Sequence, residues 1–275
     1  MPKASESSLL RRLRPRRSNL PVYHVGLFLA FFAVWKVLTA TGLLAPFFFG
    51  DPVIVLHTIV KWFTSGVIYR HLWITLAETM LAFAAGTALG LGAGLWLALN
   101  PMASALSAPY IKGFNSMPRV ILAPIFSVWF GLGMTSKVAL GMTLVFFVVF
   151  FNVYQGVREV SPVVLANARM LGASKRQLLR SVYLPSATSW VFSSLHTAVG
   201  MAFVGAVIGE YMGSEAGVGY LILQAEGTFD INSVFAGIFV LTLFAIALDS
   251  VVGLVEARLL HWQPRDAGAH EGVTA

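Results

Sequence analysis

The chain has 275 residues, 57% of them hydrophobic and 11% charged, with a net charge of +7 and no cysteine. Soluble domains carry about 25% charged residues, so this composition lacks the polar surface a water-soluble globule needs, and its wealth of aliphatic and aromatic side chains excludes a disordered chain. The absence of cysteine excludes disulfide scaffolds, thiolate metal sites and thiol nucleophiles. The remaining class is an all-α, polytopic protein whose solvent is lipid.

Residues 1–21 form a basic tail with Lys3, Arg11, Arg12, Arg14, Arg16 and Arg17. A spanning helix needs about 20 mainly apolar residues, and residues 22–44 supply them, interrupted only by Lys36. This run is too long for a signal-peptide core and reads as a retained anchor. Further spans are expected at 72–99, at 120–130 with some preceding residues, at 138–154, at 189–208 and at 234–256. Pro118 and Pro124 interrupt the third. The membrane domain is thus 22–257, with a long loop at about 156–188 and a tail at 258–275.

Six spans place both termini on one side, together with Lys112, Arg119, Arg158, Arg169, Lys175, Arg176, Arg180, Arg258 and Arg265. The other side holds only Lys61, Arg70 and Lys137. Positive charge concentrates on the cytoplasmic side of membrane proteins, so the termini and the long loop are expected there. The same distribution argues against nucleic-acid binding, because the basic residues flank apolar spans.

Glu78, Ala82, Gly86, Gly90 and Gly94 recur every four residues and share one helical face. Small residues let helices approach closely in lipid, so this face is a packing seam that also turns Glu78 into the protein. Lys36, Glu78, His196 and Asp249 lie within or beside spans, where charges face a polar pathway, pair between helices or snorkel. Asp249 and Gly253 share an inward face, and His196, with no second ligand at metal spacing, reads as a packed, hydrogen-bonded histidine.

No catalytic constellation emerges. A His-Glu-x-x-His pattern is absent, and the stretch from Gly131 to Lys137 carries Ser136 where a phosphate loop needs glycine. Leu95 breaks any dinucleotide fingerprint after Gly90 and Gly92. The chain is expected to have no catalytic residues, no metal and no ATP site, so any pumping must draw on an ion gradient or on another subunit.

In the long loop, Ser161-Pro162 starts a helix that runs to Leu171 and ends at Gly172. Ser174 and Gln177 form a capping box for a second short helix, reaching about Val182 and closed by Leu184-Pro185. The stretch Ala166, Asn167, Ala168, three residues on to Gly172, then nine residues to Val182, with Leu184 and Pro185, resembles the signature loop of bacterial ABC importer permeases. The family form is Glu-Ala-Ala, three residues, Gly, nine residues, Ile-x-Leu-Pro; Ala166 replaces the glutamate and Asn167 the first alanine. Pro118, Pro124, the Trp129 to Gly133 stretch, Ser136-Lys137, Gly209-Glu210, the segment Gly217 to Ile222 and Pro264 are similar to the nitrate, sulfonate, taurine and bicarbonate branch.

This resemblance implies a MetI-like fold in the bacterial inner membrane and a homodimeric permease, with two copies of a separate ATPase subunit that binds ATP and magnesium and with a periplasmic solute-binding protein. It assigns the ATPase-coupling loop to Ala166, Asn167, Ala168, Gly172, Ser174, Gln177, Val182, Leu184 and Pro185, and candidate pathway positions are Glu78, His196, Glu210 and Asp249. The solute expected is of nitrate, sulfonate or taurine type; the alternatives are a pyrimidine or riboflavin-like heterocycle, or an ion-coupled secondary transporter. Asp51, Glu210, Glu215, Glu226 and Asp230 on outer loops read either as a landing surface for the binding protein or as ordinary solvated residues.

Overall fold

The computed structural model describes residues 20–259, and every regular element among them is helical. The expected tails, with Lys3, the arginines up to Arg17, Pro264 and Arg265, lie outside the described residues apart from the last few positions next to the helices.

The helices in chain order are α1 (Leu20–Ala40), α2 (Pro46–Phe49), α3 (Pro52–Thr64), α4 (Val67–Leu99), α5 (Pro101–Ser116), α6 (Leu122–Phe130), α7 (Met134–Arg158), α8 (Pro162–Met170), α9 (Lys175–Leu178), α10 (Leu184–Ser193), α11 (Leu195–Tyr211), α12 (Val218–Gly227) and α13 (Ile231–Leu259).

The core is a three-helix seam of α4, α7 and α11. A side chain at Gly86 would stand 2.6 Å from Val145, and one at Gly90 would stand 2.8 Å from the Phe146 carbonyl; at Gly94, Val153 lies 3.0 Å away. The two helices therefore run parallel and in register, as the small-residue spacing predicts. The third helix runs antiparallel: Gly141 faces Ala202 and Gly205, and Gly209 faces Lys137. Ala82, Val145, Val149, Val153, Val157, Ala198 and Ala202 fill the centre of the seam. Outward side chains on α1 and α13 stay exposed, as surfaces facing lipid do.

The third crossing departs from the expected 120–130. It begins at Pro101, because α5, a 3-10 turn at Arg119–Ile121 and α6 together climb the length of α7. Ser104 bonds Tyr154 at 2.5 Å, Arg119 lies over the Phe147 ring, and Leu132 meets Lys137. Ser104, Lys112 and Asn115 dilute the hydropathy of the lower half, which hides it in the sequence. The break follows from Pro118: the residue before a proline leaves the helical region, and Met117 is extended with ψ 132°. Lys112 and Arg119, expected in a cytoplasmic loop, therefore lie along this crossing.

The fifth crossing is also longer than the expected 189–208. Leu184-Pro185 does not close the short helix; the chain passes through a π-turn at Leu179–Tyr183 directly into α10 and then α11. A proline clashes with the carbonyl four residues earlier, and a π-turn just before it widens the backbone there, so the helix continues.

Two short helices, α2 and α3, were not expected. They are separated by Gly50, at φ +65°, and Asp51. With 13 residues, α3 rises about 20 Å, short of the roughly 30 Å of hydrocarbon. It is tied to α13 at Asn232, which accepts from the Asp51 amide at 2.8 Å, and its Ile59 and Trp62 pack against the cluster of Ile68, Val218, Ile222, Val240 and Leu241. Pro46–Thr64 together is long and apolar enough to span, but the break at Gly50 divides it; with α3 taken as a brace, six crossings remain among the described residues: α1, α4, α5 with α6, α7, α10 with α11, and α13. Lys36 is not a lone charge in the first of these, since its ammonium pairs with Asp51 at 2.5 Å.

Candidate functional site

The loop joining α7 to α10 is a rigid elbow. Pro162 stands in the first turn of α8, while Ser161 occupies the cap position without making the side-chain bond expected of it. At the other end Gly172 has φ +79°; its amide donates to the Arg169 carbonyl at 3.0 Å and that of Ala173 to Ala168 at 3.0 Å. This paired closure satisfies the last carbonyls of α8 and requires a left-handed residue at its centre. The capping box forms as predicted: the Gln177 amide donates to the Ser174 hydroxyl at 3.3 Å, and the Ser174 amide donates to Gln177 Oε1 at 2.8 Å.

A notch of about 250 Å³ opens on the inner side of the elbow, lined by Ala168, Gly172, Gln177, Ser181 and Val182 among others. Leu178 is buried and anchors the second arm. At the tip, Met170 is 78% and Leu171 88% exposed. Ala166 and Asn167 are exposed on the first arm, and Arg169, Lys175, Arg176 and Arg180 surround the tip. Apolar tip residues ringed by charge are the marks of a contact surface. Both arms are tied to crossings: α8 follows α7 after a short turn, and Ser186 donates to the Gly156 carbonyl at 2.9 Å. Displacement of the tip must therefore move α7 and α10.

At the far end of the seam lies a buried polar cluster. Glu78 from α4, Lys137 from α7 and Glu210 from α11 are all 1% exposed or less. Thr75 donates to Glu210 Oε1 at 2.6 Å, and the Gly219 amide donates to Oε2 at 2.7 Å. The Lys137 ammonium neighbours both carboxylates and donates to the carbonyls of Leu132, at 2.5 Å, and Gly213, at 2.7 Å. Glu78 Oε2 is buried without a hydrogen-bond partner. Gly217 and Gly219 leave the room that the Glu210 carboxylate fills, and the Gly217 amide donates to His71 Nδ1 at 3.1 Å. Charges held in this way are expensive to break, because removing one partner strands another in a low dielectric.

This arrangement corrects the reading of Glu210 and Lys137 as outer-loop charges. Lys137 packs from α7 against α11 at Gly209, where a side chain would come within 2.8 Å of its Cγ, so the glycine is what admits the buried lysine. Glu215 and Asp230 do lie in connecting loops, and Glu226, on α12, accepts from the Tyr211 hydroxyl.

The four candidate pathway residues do not converge. Glu78 and Glu210 meet in the cluster, whereas His196 stands at the opposite end of α11, about 21 Å away along the axis. There His196 Nδ1 lies 3.0 Å from Glu256 and Nε2 lies 3.7 Å from Asp249. Asp249 turns toward His196, yet its side chain is 68% exposed, so the inward face expected for it is at the protein surface. The histidine is paired, and Glu256 is the partner that sequence reading missed. Its signal was present, since it stands two helical turns beyond Asp249 on the same face. No group of acidic and histidine residues suited to a metal occurs among the described residues.

A family model described as the binding-protein-dependent transport system inner membrane component matches residues 86–261, which take in the seam, the elbow and the last crossing. SsuC of Bacillus subtilis, named as an aliphatic sulfonates transport permease, is 31% identical over 84% of this chain and 84% of its own length. ThiX of Halalkalibacterium halodurans, named as a formylaminopyrimidine transport permease, is 31% identical over 86% of this chain and 94% of its own. A solved structure of the MetNI methionine ABC transporter in an inward-facing conformation superposes with a TM-score of 0.60 at 20% identity, covering 73% of this chain and 97% of that one. The helical fold is therefore of the MetI type, and with the elbow at the place its sequence signature predicts, the chain belongs to the inner-membrane permease family of binding-protein-dependent ABC importers.

Proposed function

We propose that this permease carries a small organic solute of the aliphatic sulfonate class inward, working as a homodimer gripped by two ATPase subunits at its elbows. Membership in the family makes it a transport subunit rather than an enzyme, with ATP hydrolysed on a separate partner. ATP and magnesium bind that partner, and none of the candidate site residues here serves as a ligand for them. The ion-coupled alternative loses its ground with the family assignment.

The observation that carries the reading is the elbow tip. Met170 and Leu171 are apolar, largely exposed and carried on a backbone closed by the bonds of Gly172 and Ala173. They fit a cleft on the ATPase surface. When two ATPases close around ATP, the two elbows approach, and α7 and α10 tilt with them. The seam of Gly86, Gly90 and Gly94 permits that sliding because only small groups interlock across it.

Ala166, Asn167 and Ala168 form the arm facing the ATPase, and Ser174, Gln177, Val182, Leu184 and Pro185 hold its geometry. The basic elbow and both tails, 1–21 and 258–275, face the cytoplasm on the strength of their charge, leaving 22–257 as the permease domain. The outer brace α3, α12 and the acidic loops around Glu215 and Asp230 then face the solute-binding protein.

Leu171→Asp tests the docking. Its side chain touches solvent, so the variant inserts and folds normally while ATPase co-purification falls at least tenfold, the consequence of about 1.4 kcal/mol. Undiminished co-purification would contradict the proposal. Similarity to a permease named for formylaminopyrimidine supports a second solute class, a small heterocycle, and uptake by the assembled complex of an alkanesulfonate against that heterocycle separates the two.

A further inference from the structure

We propose that Arg119 is the residue that recognises the solute's negative charge, from a position beside a cavity along the broken third crossing, which it adjoins through Asn115. The inference rests on the importer reading and narrows its solute to small organic anions.

Arg119 stands at the break between α5 and α6, with its guanidinium 4.3 Å above the centre of the Phe147 ring. Phe147 is midway along α7, so this cation sits near the middle of the membrane rather than at its edge. Its hydrogen bonds go to neutral acceptors only: Nη2 donates to the Asn115 carbonyl at 3.2 Å and to Asn115 Oδ1 at 2.6 Å. Nε is buried without a partner. Neither the Lys36–Asp51 ion pair nor the contacts of His196 with Asp249 and Glu256 involve Arg119. Lys137, the other deeply placed cation, also lacks an ion pair within 4.0 Å among the described residues, but Glu78 and Glu210 lie near enough to act on its charge.

A cation at mid-membrane without a counter-charge is costly, and such residues mark the route of a charged substrate.

Beside the break lies a cavity of about 310 Å³ between α5 and α7. Asn115, which holds the Arg119 guanidinium, lines it, together with Lys112, Ser104, Tyr154, Phe150 and Ala108; no aspartate or glutamate does. The hydroxyls of Ser104 and Tyr154 bond each other at 2.5 Å at its lower end. The lining thus offers apolar and aromatic walls for a short carbon chain and positive charge for an anionic head. Few polar groups in an apolar pocket fix a ligand's orientation. A sulfonate or carboxylate of a few carbons meets both demands, and a cation meets neither.

Because the chain has no cysteine, Ala108→Cys provides a single reporter inside this cavity. In the permease–ATPase complex in lipid nanodiscs, the reporter is reacted with 2-sulfonatoethyl methanethiosulfonate and with its 2-(trimethylammonium)ethyl analogue. Modification is scored on the permease, and rates are normalised to free cysteine in solution. The anionic reagent should be favoured by about tenfold. Arg119→Gln should cut the preference by about threefold, leaving what Lys112 in the lining supplies, Arg119→Lys should keep most of it, and millimolar methanesulfonate should protect where tetramethylammonium does not.

A preference unchanged by Arg119→Gln, or failure of both reagents to reach the reporter, overturns the proposal. The measurement is made in phosphatidylcholine and repeated in phosphatidylglycerol; a preference that vanishes in the second assigns Arg119 to lipid headgroups and also overturns it. ATPase co-purification, recorded on the same samples, keeps the two claims apart. Intact co-purification without charge preference removes the role of Arg119 alone, and absent co-purification in the unsubstituted chain removes the importer reading beneath it.

Discussion

The Glu210 carboxylate occupies the space that a side chain at Gly217 would need. Gly217 also has φ +111°, a conformation costly for any residue with a Cβ. Gly217→Ala should therefore push the carboxylate away from Thr75 and the Gly219 amide and destabilise the protein by at least about 2 kcal/mol. Thermal unfolding of the purified permease in detergent reads this directly; a melting temperature unchanged from that of the parent would show that the cluster tolerates displacement.

Glu210→Gln keeps the shape of the side chain but removes a charge beside Lys137, which is wholly buried. The amide side chain also cannot accept from both Thr75 and the Gly219 amide, and a buried group left without its partner costs about 1–3 kcal/mol. The variant should lose stability by an amount in that range, and Lys137→Met in the same background should return part of it. A double-mutant cycle on unfolding midpoints checks the coupling.

The seam makes a paired prediction on a single helix. Gly90 has the Phe146 carbonyl 2.8 Å from where its Cβ would stand, while Gly92, two residues on, has nothing within 4 Å. Gly90→Ala should separate α4 from α7 and cost about 1–3 kcal/mol. Gly92→Ala should be neutral or stabilising by up to about 1 kcal/mol, because alanine is the better helix former. Melting temperatures of the two variants, side by side, decide it.

Asp51 holds the outer brace in two ways: it caps α3 by accepting from the Val53 amide at 2.8 Å and it pairs with Lys36. Asp51→Ala should cost about 1–2 kcal/mol, mostly through the cap. Lys36→Met should cost under about 1 kcal/mol, because that side chain is 45% exposed and exposed pairs contribute little. Comparable losses for the two variants would place the weight on the ion pair instead.

Much of this protein could be read from residues alone, and the failures have physical causes. Gly86, Gly90 and Gly94 announce the seam because lipid leaves close packing as the main attraction between helices. The elbow is legible because Gly172, Ser174 and Gln177 satisfy backbone groups locally, with no help from distant contacts. The lower half of the third crossing is not legible, since Lys112 and Asn115 point to an aqueous loop unless a cavity beside α7 is known. The outer brace did carry a signal in Asp51-Pro52, a cap followed by a first-turn proline, masked by its shortness. Burial of Glu210 and Lys137 depends on Gly209 meeting a side chain from α7 and on Gly217 and Gly219 folding back onto α11, and spacing along the chain does not reveal such meetings.

The central claim is that the Leu171 tip faces the cytoplasm and is held by an ATPase. Leu171→Cys in the cysteine-free chain allows one measurement: thiol-specific cross-linking of the assembled complex in sealed inside-out vesicles, with and without ATP. The account predicts a cross-link to the ATPase subunit whose yield changes when ATP binds. Protection by the vesicle membrane from an impermeant maleimide, with labelling only in right-side-out vesicles and no cross-link to the ATPase, would contradict it.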